Sequence, residues 1–197
     1  MKIVLATNNM DKVREIKSVL SGLNVEIFTL KDLGLEIDVL EDGETFEANA
    51  AKKAVEVARR TKMVSVADDS GLEVNVLGGK PGVYSARFAG PGCTYDDNNR
   101  ELLRLLKDVP ENKKQARFVS VIAIAEPTGK IRTVRGVCCG KISEDARGKD
   151  GFGYDPVFIP RGRKKTFAEI KLEEKNKISH RARALAKAQK IICGMCS

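Results

Sequence analysis

Residues 1–20 read Met1-Lys2-Ile3-Val4-Leu5-Ala6-Thr7-Asn8-Asn9-Met10-Asp11-Lys12-Val13-Arg14-Glu15-Ile16-Lys17-Ser18-Val19-Leu20. A short apolar run over 2–7 gives way to polar residues, and then Val13, Ile16, Val19 and Leu20 recur at helical spacing. That pattern is a buried strand followed by an amphipathic helix. It repeats down the chain. A second strand is expected near 25–28, and Phe46, Ala50, Ala54 and Val57 mark a long helix ending near Arg60. The apolar run 63–67 reads as another buried strand, ending in Asp68-Asp69-Ser70-Gly71. Residues 96–106 form an amphipathic helix, and 117–126 with 131–140 form two long strands joined through Pro127-Thr128-Gly129. Residues 78–82 and 150–156 are glycine-rich loops, and 179–192 is a final helix with Leu185, Ala188 and Ile192 on one face. With no repeats and no low-complexity linker, residues 1–197 are expected to fold as a single α/β domain around a mixed sheet.

Composition narrows the chemistry. Hydrophobic residues make up 42% of the 197 and charged residues 31%, the balance of a globular rather than a disordered chain. No apolar run is long enough to span a bilayer, and no cleavable signal precedes the first strand, so a cytoplasmic protein without a membrane partner is expected. The single histidine, His180, excludes paired-histidine metallopeptidases and most histidine–metal phosphohydrolases. No Gly-x-Ser-x-Gly nucleophile elbow is present. A metal site would have to be built of carboxylates, which favour hard cations such as magnesium. Five cysteines, an odd count, point to free thiols in a reducing compartment. Cys193-x-x-Cys196 has redox or zinc spacing but no second pair nearby, and the adjacent Cys138-Cys139 reads as strand packing.

Charge is unevenly distributed. Six acids and no base lie between Glu36 and Asn49, whereas residues 160–190 hold eleven bases and three acids. One reading is a nucleic-acid surface; the other is a site where bases hold a polyanion and acids hold its metal. Aromatics form only 5% of the chain, too few for a stacking platform along single strands.

Polar residues gather in four places. Thr7, Asn8, Asn9, Met10, Asp11 and Lys12 lie between the first strand and helix, where backbone N–H groups attract phosphate and Lys12 adds a full charge. No Walker P-loop is present. The acidic stretch around Glu41 precedes the long helix, which carries Asn49, Lys52 and Lys53. Asp68 and Asp69 follow a strand, and adjacent side chains there diverge, so one carboxylate can face a site while the other supports it. The last group is split. Gly151-Phe152-Gly153-Tyr154-Asp155 exposes an aromatic face, and Ser179 caps a helix whose first turn carries His180 and Arg181, preceded by Lys175.

Together these segments resemble the inosine triphosphate pyrophosphatase family, which hydrolyses non-standard purine nucleoside triphosphates. The matching motifs are Thr7-x-Asn9-x-x-Lys12, Glu41-x-Gly43-x-Thr45-Phe46-x-x-Asn49-Ala50, Ala67-Asp68-Asp69-Ser70-Gly71-Leu72, Leu77-Gly78-Gly79-x-Pro81-Gly82-x-x-Ser85-Ala86-Arg87-Phe88, Gly151-Phe152-Gly153-Tyr154-Asp155-Pro156 and Glu174-Lys175-Asn176-x-x-Ser179-His180-Arg181. They occur in order from residue 7 to 181. One departure is Lys149-Asp150, where the family usually has a glycine before the Gly151-Phe152-Gly153 turn. The resemblance implies an elongated mixed sheet with helices forming two lobes around a cleft, usually in a homodimer. It implies hydrolysis of ITP, dITP and XTP to the monophosphate and pyrophosphate with Mg2+, for which Mn2+ can substitute. By the same resemblance Glu41 and Asp69 hold the metal and Asp69 activates water. Thr7, Asn9, Lys12, Lys52 and Lys175 hold the triphosphate beside Ser70, Phe152 stacks on the base, and Asp155, His180 and Arg181 read its edge. Asn8, Met10, Asp11, Gly153 and Tyr154 complete the substrate-binding segments. The resemblance implies no nucleic-acid partner. A pyrophosphatase for modified pyrimidine nucleotides and a basic nucleic-acid-binding module are the alternatives.

Overall fold

A computed structural model describes residues 1–196 in backbone and 1–195 in side chain, so Cys196 of the Cys193-x-x-Cys196 pair lies outside the described side chains. The strands are β1 (Lys2–Leu5), β2 (Glu26–Thr29), β3 (Val64–Val74), β4 (Gln115–Ala125), β5 (Ile131–Ile142) and β6 (Phe158–Pro160). The helices are α1 (Met10–Leu20), α2 (Phe46–Thr61), α3 (Tyr95–Leu105), α4 (Leu172–Ile178) and α5 (His180–Cys196). One six-stranded sheet runs β2-β1-β3-β4-β5-β6. β1 pairs in parallel with β2 and β3, while β5 and β6 are antiparallel, so the sheet is mixed. No described helix is long and apolar enough to cross a membrane.

The chain divides into two compact units. The first comprises residues 1–69, 120–136 and the stretch from Arg181 onward; the second comprises 70–119 and 137–180. Strands β3, β4 and β5 each contribute residues to both. In the first unit, Ile3 and Leu5 of β1 pack with Val13, Ile16 and Leu20 of α1, and with Ala184, Leu185, Ala188 and Ile192 of α5. These helix residues recur at three- and four-residue spacing, which places them on one stripe. The second unit buries Leu72, Leu102, Phe118, Tyr154, Phe158 and Phe167. Phe118 meets Phe158 edge-on with ring centroids 4.7 Å apart, a favoured aromatic geometry.

β3 differs from its sequence reading. It does not stop at Ala67 but continues to Val74, so Asp68 and Asp69 lie inside the strand rather than beyond its end. Its pairing with β1 ends at Val66, one residue before Ala67, so the two aspartates lie past the end of that parallel ladder. Cys138 is buried and Cys139 exposed, the alternation expected of a strand.

Candidate active site

The turn entering α1 is built by short side chains. Thr7 Oγ1 accepts from the Asn9 N–H at 3.1 Å, and Asn9 Oδ1 accepts from the N–H groups of Asp11 and Lys12 at 3.0 and 3.1 Å. Asn9 is therefore the N-cap and occupies two of the helix's terminal donors itself. Asn8 donates to the Ile37 carbonyl at 3.4 Å. Met10 is exposed, and Asp11 pairs with Arg14 on the surface. Lys12 turns toward β3, with its Nζ 3.3 Å from the Asp68 carbonyl and 3.0 Å from Asp68 Oδ2.

The adjacent aspartates diverge. Asp68 accepts from Ser120 Oγ at 2.6 Å and pairs with Lys12 and with Arg181 Nη2, the latter at 3.2 Å. Burial alone would raise its pKa, but Arg181, Lys12 and Ser120 outweigh it and hold the carboxyl well below the usual range. Asp69 faces Lys53 and Glu41 instead. Lys53 Nζ lies 3.0 Å from Glu41 Oε1 and 3.1 Å from Asp69 Oδ1, and donates to the Asp68 carbonyl at 3.1 Å. The Glu41 loop is held by Asn49, whose Oδ1 accepts from the Gly43 N–H at 2.8 Å and whose Nδ2 donates to the Gly43 carbonyl at 3.3 Å. A Cβ on Gly43 would come within 2.6 Å of Asn49 Oδ1, so this clasp requires glycine.

Burial, reinforced by the neighbouring Glu41 carboxylate, pushes Asp69 up to about 6 despite Lys53 and Lys12. For Glu41, Lys53 and the Asp69 hydrogen bond outweigh burial and hold it below its ordinary value. The pair thus parts into one carboxylate that stays ionised and one that exchanges a proton near neutrality, the arrangement suited to a general base. The same donor set fits a hard divalent cation. Two carboxylates already share one positive charge at Lys53, and no group of three His, Cys, Asp or Glu side chains gathers among the described residues. Magnesium is commonly held by one or two protein carboxylates together with substrate phosphates.

Lys52, expected at the triphosphate, pairs with exposed Asp42 at 2.7 Å. Lys53 takes the buried position; the sequence places both lysines on the helix after Glu41, but the resemblance implies a triphosphate role for Lys52 alone. The signal was there, because Lys53 lies on the same face of α2 as Phe46, Ala50 and Val57, whereas Lys52 is turned away from it. Arg181 was expected to read a base, at a helix end where a cation opposes the dipole. It is instead fully buried, and its guanidinium pairs with both Glu15 and Asp68. Those carboxylates supply the offsetting charge.

The second unit holds the aromatic loop. Gly151 and Gly153 have φ of 76° and 62°, so the backbone turns sharply on either side of Phe152. Asp155 Oδ2 accepts from the Phe152 N–H at 2.8 Å and from Lys175 Nζ at 2.5 Å. Both Asp155 and Lys175 are buried, and Lys175 Nζ lies 4.9 Å from the Phe152 ring centroid. Tyr154 donates to the Ser85 carbonyl at 3.0 Å, and burial pushes its phenol well above the usual value. His180 stacks on Phe118 at 4.5 Å with the rings 9° from parallel. Ser70 begins this unit's stretch of β3 and is half-buried.

The Ham1 family profile matches residues 3–191. The chain belongs to the Ham1 family. A relative from Desulforamulus reducens named dITP/XTP pyrophosphatase is 50% identical over 192 residues, 98% of this chain and 96% of its own. One of the same name from Thermoanaerobacter pseudethanolicus is 49% identical over 192 residues, with the same coverage of each chain. The Staphylococcus aureus Ham1 protein superimposes with a TM-score of 0.88 at 36% identity, covering 99% of this chain and 100% of that one. A HAM1 protein from Coxiella burnetii gives 0.89 at 35% identity, covering 98% and 99%. The mixed α/β fold expected from the motifs is thus the family's fold.

Proposed function

We propose that this protein hydrolyses non-standard purine nucleoside triphosphates, dITP, XTP and ITP, to the monophosphate and pyrophosphate. The observation that carries the reading is the Glu41–Lys53–Asp69 group, in a chain about half identical to proteins named dITP/XTP pyrophosphatase. Asp69 is the base. With a pKa of about 6 it is mostly ionised at neutral pH and takes the proton of a water. The water oxygen bonds to the α-phosphorus, and the bond from that phosphorus to the bridging oxygen breaks, so pyrophosphate departs with the electron pair. Lys12 and Lys53 stabilise the charge that develops on the phosphoryl and leaving oxygens. Glu41 and Asp69 are the residues that would hold Mg2+ or Mn2+, which when bound neutralises phosphate charge and polarises the phosphoryl group. Phe152 offers the face on which the base stacks, and Asp155 with Lys175 braces it. By the family resemblance we extend the reading to a cytoplasmic homodimer acting on the nucleotide pool.

Two substitutions test the assignment. Asp69→Asn keeps the shape of the side chain and removes the base, so turnover should fall by orders of magnitude with a modest change in dITP affinity. Lys53→Met should lower kcat by about 10²-fold, the typical loss when one preorganised charge donor is removed. Near-normal turnover in Asp69→Asn would overturn Asp69 as the base.

A further inference from the structure

Helix α3 had no role in the sequence reading, yet two of its side chains reach the Phe152 loop. It is capped by Thr94, whose Oγ1 accepts from the Asp97 N–H at 3.2 Å while Asp97 accepts from the Thr94 N–H at 2.8 Å. Asn98 and Asn99 follow in the body of the helix, where asparagine is a poor helix former. Both are buried. Asn98 ties down the preceding turn, accepting from the Ala89 N–H at 2.8 Å and donating to the Ala86 carbonyl at 3.3 Å. Asn99 Nδ2 donates to the Gly153 carbonyl at 2.9 Å, whereas its Oδ1 is buried with no hydrogen-bond partner. A buried amide retained with half its capacity unused needs a reason, because an unsatisfied polar atom is costly. One turn earlier, on the same face of the helix, the Tyr95 ring lies 6.1 Å from the Phe152 ring at 45°. Tyr95 is 41% exposed and Phe152 half-buried, so the ring pair lies at the surface of the second unit.

We propose that Tyr95 and Asn99 are positioning residues for base recognition: Asn99 fixes the Gly153 carbonyl and with it the Phe152 ring, while Tyr95 supports that ring on its flank. The inference rests on the reading that the purine stacks on Phe152. The Gly151-Phe152-Gly153 turn has a glycine on each side of the ring and little rigidity of its own. Asp155 grips the turn from within, at the Phe152 N–H, and Asn99 holds it from outside at the next carbonyl. Loss of Asn99 frees the ring to sample orientations that do not stack, which weakens base binding while leaving the phosphate-binding lysines of the first unit untouched.

The test measures kcat and KM for dITP, inhibition by inorganic tripolyphosphate and thermal midpoint in Asn99→Ala, Tyr95→Ala, Tyr95→Phe and the control Phe152→Ala. Tripolyphosphate carries no base, so it reports the phosphate site alone. We expect KM for dITP to rise roughly tenfold in Asn99→Ala, the scale of one lost hydrogen bond, and several-fold in Tyr95→Ala, with kcat nearly unchanged. Tyr95→Phe, which retains the ring, should behave as the parent. Tripolyphosphate inhibition should be the same in all four. A merely structural role would lower the thermal midpoint and the active fraction without this split. If Asn99→Ala proves unstable, Tyr95→Ala, altered at a partly exposed side chain, decides the matter. A raised KM in Phe152→Ala with parental values in both Asn99→Ala and Tyr95→Ala overturns the role of α3 alone. An unchanged KM in Phe152→Ala overturns base stacking on that ring, and this inference with it.

Discussion

Exchanging Arg181 for methionine removes a guanidinium buried between two carboxylates. Its side chain is 2% exposed, and those of Glu15 and Asp68 are 4% and 0% exposed. Asp68 keeps Lys12 at 3.0 Å and Ser120 at 2.6 Å, so its charge stays compensated. Glu15 loses the cation that pairs with it across the first unit. Breaking a buried pair by deleting one partner typically costs ~3–5 kcal/mol, because the remaining charge is left in a poorly solvating interior. For a chain of this length each kcal/mol moves the thermal midpoint by a few degrees, so Arg181→Met should lower Tm by about 6–20 °C. Adding Glu15→Gln, which removes the carboxylate that Arg181 paired with, should restore at least half of that loss. The assay is thermal unfolding followed by circular dichroism, with KM for dITP measured well below the transition. An unchanged Tm together with a raised KM would refute the buried-pair role and return Arg181 to direct recognition of the base.

Two further outcomes follow from the carboxylate pair. In metal-free protein the Asp69 carboxyl, followed by carbon NMR, should titrate near pH 6. Lys53→Met should move that midpoint upward, since Lys53 favours the ionised form, and magnesium should move it downward; a midpoint indifferent to magnesium would refute Asp69 as a ligand. Gly43→Ala places a methyl group against Asn49 Oδ1 and opens the clasp that holds the Glu41 loop. It should weaken magnesium binding, read as a several-fold rise in the magnesium concentration for half-maximal rate, with dITP affinity at saturating magnesium little changed.

Much of the fold was legible because apolar spacing reports directly on burial. Val13, Ile16 and Leu20 pack as one stripe of α1, as their spacing requires. β3 was read too short for a physical reason. Periodicity registers hydrophobicity, and Asp68 and Asp69 are buried in a strand only because Lys12, Lys53, Arg181 and Ser120 come to them from elsewhere in the chain. Those partners are separated by up to 113 residues and leave no local trace. Part of the basic C-terminal stretch misleads for the same reason. Lys175 and Arg181 are buried in ion pairs, Arg163 pairs with Glu174, and none of the three adds a free charge to the surface. The choice of Lys53 over Lys52 was legible, because Lys53 falls on the Phe46, Ala50 and Val57 stripe of α2 and Lys52 does not. The role of Asn99 required knowing that α3 reaches the Phe152 loop, 54 residues further along the chain.

The measurement that bears most directly on the proposed activity is pyrophosphate release from ITP, dITP, XTP, GTP, ATP and modified pyrimidine triphosphates, with magnesium and then with EDTA. A Ham1-family hydrolase built on the Glu41–Lys53–Asp69 group predicts EDTA-sensitive release concentrated on ITP, dITP and XTP. Release from the pyrimidine triphosphates instead would contradict the purine reading, and no release from any of them would contradict the hydrolase itself.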